Sequence, residues 1–84
     1  MEFTKAKLRA FFRRKFPGRT LDDSDDIFAQ GFANSLLAMQ LVRFLEREFG
    51  IVVQDEDLDM DNFRSIDAMA QLVARKPGET QLSA

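Results

Sequence analysis

The sequence predicts an all-α protein, a small four-helix bundle of three main helices and a short third one. Three observations carry this prediction. Apolar residues recur at three-and-four spacing in three separate stretches, the mark of helices with one buried face. Turn signals fall at the ends of those stretches: Pro17-Gly18, Gly50 and Pro77-Gly78. The one run with strand propensity, Ile51-Val52-Val53, has no second strand to pair with.

The first helix is predicted from about Phe3 to Phe16. Leu8, Phe11 and Phe12 share one side, with Phe16 at its margin, and Lys7, Arg9, Arg13 and Arg14 spread around the remainder. A solvated face whose basic stems cover the core is the expected role of those cations. Arg19 to Phe32 follows as a long loop, anchored by Leu21, Ile27, Phe28 and Phe32.

The second helix shows the strongest periodicity. Leu37, Ala38, Leu41, Val42, Phe44, Leu45 and Phe49 form its predicted buried face, opposite Gln40, Arg43, Glu46 and Arg47. Leu36 and Met39 break this rule: at about 100° per residue they project on the polar side, beside Ser35. Ile51-Val52-Val53 reads as an extended connector with inward apolar side chains.

Asp55 to Asp61 alternates acids as a calcium loop would, but the EF-hand register fails. Its sixth position is Met60 rather than glycine, and its twelfth is Ile66 rather than a bidentate glutamate. No metal site is predicted. A short helical turn with acids at its positive end is expected instead. Ser65 then caps the last helix, which turns Ile66, Met69, Ala70 and Val73 inward and carries Arg75 and Lys76 at its C-terminus. Phe12, Leu41, Leu45 and Val73 are expected to be buried together. The domain is expected to span residues 1–76, with a disordered polar tail at 77–84.

Composition narrows the function. A chain of 84 residues buries only about 60–65% of its extended surface, which leaves little room for a cleft. It holds no cysteine and no histidine, so the commonest nucleophilic thiol, general base and metal ligands are absent. Catalysis by this chain alone is not expected. No apolar run approaches a membrane span, and Lys5, Lys7 and Arg9 interrupt any secretory core, so a cytoplasmic monomer is expected. The net charge of −2 hides a segregation: seven basic residues lie before Leu21 against Glu2 alone, and eleven acids follow as far as Asn62. The acidic body argues against nucleic acid as a partner.

Ser35 stands out by context. It is either a plain helix cap or a residue modified by another enzyme. A phosphate there would face the positive end and free N–H groups of the second helix, flanked by outward Leu36 and Met39.

From Phe3 to Arg75 the chain resembles the acyl carrier protein family: a long first loop, Asn34-Ser35-Leu36 in place of the family's Asp-Ser-Leu, and a helix ending Glu46-Arg47-Glu48-Phe49-Gly50-Ile51. An acidic short third helix and a final helix complete the order. The resemblance implies that Ser35 carries 4′-phosphopantetheine, transferred from coenzyme A by a phosphopantetheinyl transferase. The chain would then hold an acyl group as a thioester and present it to acyl-loading and acyl-modifying enzymes. Asn34 replaces the usual aspartate, and Arg43 and Arg47 stand where fatty-acid carriers are typically apolar or acidic. Residues 31–41 and 61–68 are most similar to free-standing polyketide carriers of hydroxymalonyl or methoxymalonyl extender units, which implies a polyketide synthase acyltransferase among the partners. Asn34, Leu36, Met39, Arg43 and Arg47 are the expected recognition residues. An unmodified helical interaction module, using Leu36 and Met39 or the basic first helix, is the alternative.

Overall fold

The computed structural model describes residues 2–31 and 35–76. Four α-helices follow in order: α1 (Glu2–Lys15), α2 (Ser35–Phe49), the short α3 (Met60–Phe63) and α4 (Ile66–Arg75). A single 3-10 turn, Asp55–Asp57, lies between α2 and α3. No strand is present among the described residues, and Ile51-Val52-Val53 is an extended connector as its isolation requires. The predicted all-α bundle is therefore observed. Phe32 and Asn34, the Pro77-Gly78 stop and the tail at 77–84 lie outside the described residues.

The core forms where the stripes meet. Leu8, Phe11 and Phe12 of α1, Leu37, Leu41 and Leu45 of α2, and Ile66, Met69, Ala70 and Leu72 of α4 are buried. Ile27 from the first loop and Ile51 from the connector complete it. The α2 residues recur at every fourth position and form one narrow ridge. Ala38 was expected inside and is exposed. Its position lies at the edge of that ridge, and its methyl is too short to reach a neighbouring helix. In α4 the opposite occurs. This helix packs against both α1 and α3, so its buried arc is wider than one stripe and takes in Leu72, while Val73 stays half-buried at the margin. Val52 was also expected to point inward but is exposed. An extended backbone sends successive side chains to opposite sides, and Ile51 takes the inner one.

The long loop is held by its aspartates. Asp26 accepts hydrogen bonds from the Phe28 and Ala29 amides at 2.8 and 3.2 Å, and Asp25 accepts one from Asp22 N–H at 2.8 Å. Two backbone bonds tie the loop to the start of α4: Ile27 N–H to Arg64 C=O at 2.8 Å and Asp67 N–H to Asp23 C=O at 3.0 Å. Arg9 closes the arrangement from α1 with a two-pronged contact to Asp23 at 2.8 and 2.6 Å. The loop leaves at Gly31, whose φ of +83° is open to glycine at little cost.

Candidate functional site

Ser35 is the first residue of α2, at the end where the amide N–H groups of the first turn have no carbonyl partners within the helix. It is exposed. On the helical wheel it lies on the side opposite Leu37, Leu41 and Leu45, so the core ridge that fixes α2 also turns the hydroxyl away from the core. Leu36 and Met39 flank it and are 67% and 66% exposed, as the sequence predicts. Phe3, Val52, Leu58 and Met60 are exposed as well, so what marks Leu36 and Met39 is their position beside Ser35 on the same helix.

The other serines of the described region differ in ways that matter. Ser65 is only 8% exposed, and its hydroxyl oxygen accepts the Ala68 amide at 3.0 Å as the cap of α4. Both reagent access and the hydroxyl's lone pairs are restricted there. Ser24 is exposed but sits among Asp22, Asp23, Asp25 and Asp26. A phosphodiester at Ser24 would meet carboxylates, whereas at Ser35 it would meet the partial positive charge of a helix N-terminus.

The solvent face of α2 carries Arg43 and Arg47, both exposed. They lie about 12 and 18 Å from Ser35 along the axis, at the rise of an α-helix. Glu46 shares this face but is already engaged: its carboxylate accepts the Val53 amide at 2.9 Å and anchors the connector. Three acids of the short helical region, Asp57, Asp59 and Asp61, likewise have structural partners. Asp57 pairs with Lys76 at the end of α4 and accepts the Gln54 amide at 2.9 Å, which together hold its carboxyl below the ordinary aspartate range. Asn62 receives Arg75 at 2.9 Å. No cluster of metal-ligating side chains occurs among the described residues. Nor is any described helix long and apolar enough to cross a membrane.

Sequence reasoning missed two structural roles. The Glu46 tether has no periodic signature, because it depends on where the connector returns. The Arg9–Asp23 pair joins residues 14 apart and becomes visible only once the loop folds against α1.

A search of curated proteins returns no significant match. A family profile described as "Phosphopantetheine attachment site" matches residues 6–73, which takes in most of α1, all of α2 and α3 with the segments between the helices, and nearly all of α4. Carrier domains of this kind hold covalently bound 4′-phosphopantetheine, are typically non-catalytic, and meet phosphopantetheinyl transferases and acyl-handling enzymes. With most of the helical bundle inside the match, the chain belongs to the phosphopantetheine attachment-site family.

Proposed function

We propose that this chain acts as an acyl carrier, not itself an enzyme, and that Ser35 is its attachment residue. The observation that carries the assignment is the exposed Ser35 hydroxyl at the N-terminus of α2, in a chain whose other described serines are capped or surrounded by acids. The Ser35 oxygen attacks the coenzyme A phosphorus that bears the pantetheine arm, forming a phosphodiester as the pyrophosphate bond breaks and adenosine 3′,5′-bisphosphate leaves, while a base on the transferase takes the hydroxyl proton. The amide N–H groups of the first turn then face the phosphate oxygens. The attached group supplies a thiol that carries the acyl group as a thioester. No cysteine of the chain competes with it for that group.

Leu36 and Met39 supply an apolar contact beside the attachment point for the transferase and the acyl-handling enzymes, with Asn34 preceding the serine and Arg43 and Arg47 farther along. The proposed cargo is a glycerate-derived malonyl-type extender unit, with a polyketide synthase acyltransferase among the partners. What supports this is the resemblance of residues 31–41 and 61–68 to carriers of such units. A cytoplasmic location accords with those partners.

The test is intact mass after incubation with coenzyme A and a broad-specificity transferase. One phosphopantetheinyl increment is expected on the native chain and none on Ser35→Ala. An unmodified native chain would favour the interaction-module reading, in which the exposed Leu36 and Met39 bind a protein directly.

A further inference from the structure

Five of the six basic residues of α1 fall into two groups, with Arg13 in neither. On one side Arg9 is joined to Glu2 and Asp23, and Lys5 lies 2.8 Å from Asp67. On the other side Lys7, Arg14 and Lys15 face α2 across a groove of about 500 Å³, with Arg43 and Arg47 on the opposite wall. Glu48 is the one acid lining it, and it is paired with Lys7 at 3.0 Å. Arg14, Arg43 and Arg47 have no carboxylate within ion-pair distance among the described residues. Five cations against one carboxylate leave an excess of four positive charges in a single groove, on a chain whose net charge is −2.

The floor is aromatic. Phe11 and Phe44 meet with ring centroids 4.7 Å apart, Phe44 is half-buried, and Lys15 lies over the Phe11 ring at 5.8 Å. Like charges gathered over a low-dielectric floor focus the local field and favour an anionic occupant. The groove is short: about two turns of α1 and one turn of α2 separate its outermost cations, or about 12 and 6 Å. A nucleic-acid duplex presents one charge per about 1.7 Å over a rod far longer than this groove, and the chain as a whole carries a net charge of −2. A compact acidic segment suits both the length and the sign.

We propose that the α1–α2 groove is a docking site for an acidic, helix-sized segment of a partner protein, whose carboxylates pair with Arg14, Arg43 and Arg47 while an apolar side chain rests on Phe44. Arg43 and Arg47 thereby belong to a surface shared with α1, not only to the rim around Ser35. The groove stands on its own geometry and does not depend on modification of Ser35.

The experiment uses the unmodified chain and a synthetic helix-forming peptide of about 14 residues, with glutamates at i, i+4 spacing and a leucine row. Binding is followed by backbone amide NMR. Saturable shifts are expected in residues 7–15 and 40–48. Arg14→Glu and Arg43→Glu should each weaken binding about fivefold or more, Arg43→Gln less so, and about 0.5 M salt should remove most of the affinity. Arg13→Glu, the same charge change outside the groove, should alter affinity less than about twofold. The amide spectra of the variants also report whether each is folded. The proposal is overturned by any of four results. These are absence of saturable binding, an equal loss in Arg13→Glu, tighter binding of a short DNA duplex than of the peptide, or concentration-dependent shifts in the same amides without peptide, which would make the occupant a second copy.

Discussion

At the residue scale, Ser35 and Ser65 both stand at helix starts but differ in place and surroundings: Ser35 is the first residue of α2 and Ser65 the cap before α4. Ser65 is buried and its oxygen is spent on the Ala68 amide. Ser65→Ala should therefore lower stability by ~1 kcal/mol, the usual loss for a cap, and leave phosphopantetheinylation unchanged. Urea denaturation and intact mass measured on the same sample check both halves. Leu41 is 1% exposed at the centre of the α2 ridge, and Leu41→Ala should cost ~2–5 kcal/mol. A loss below about 0.5 kcal/mol, typical of surface positions, would mean that the ridge does not face the core.

The α2 ridge, the Ser65 cap and the outward Leu36 and Met39 were legible in the sequence because each depends on local spacing alone. The outward Val52 follows likewise from the alternation of an extended segment, but Ala38, Leu72 and Glu46 were not legible. Their environments are set by which helix lies across from them and by where the connector returns, and neither is encoded within one turn of helix.

At the element scale, the first loop is the piece that delivers the chain to the start of α2, and ion pairs hold it. The Arg9 guanidinium lowers the Asp23 carboxyl below the ordinary aspartate range, as Lys76 does for Asp57 at the other end of the bundle. A carboxyl whose folded pKa is depressed takes up its proton in the unfolded chain first as pH falls. The stabilisation is thus complete above about pH 4, the unfolded aspartate value, and is lost as pH drops through the lower folded value. The urea midpoint should fall steeply below about pH 4. Asp23→Asn should flatten that fall while lowering stability at neutral pH. Equal slopes in the native chain and the variant would remove the Arg9–Asp23 pair from the acid response.

At the scale of the whole molecule, the segregated charge of the sequence becomes two structural uses. Lys5 and Arg9 bind the acidic loop and α4 to α1, while Arg14, Arg43 and Arg47 remain available on the groove side. Steering by such a field speeds association, adds to the pairing in the groove, and weakens as salt rises. The absence of cysteine has an equally global consequence. A thiol reagent should find nothing to label in the unmodified chain and a single thiol after modification. Any labelling before treatment would contradict the sequence itself, and none afterwards would mean that no arm was attached.

The most direct measurement localises the added group. Trypsin cleavage after Arg19 and Arg43 releases residues 20–43, a peptide holding both Ser24 and Ser35, and cleavage after Arg64 places Ser65 in a separate peptide. Tandem mass spectrometry of the treated protein should show the phosphopantetheinyl increment on fragments of the 20–43 peptide that contain Ser35. Fragments ending before Ser35 should be unmodified, as should the Ser65 peptide. An increment retained by fragments that contain Ser24 and not Ser35, or found on the Ser65 peptide, would contradict the assignment of Ser35.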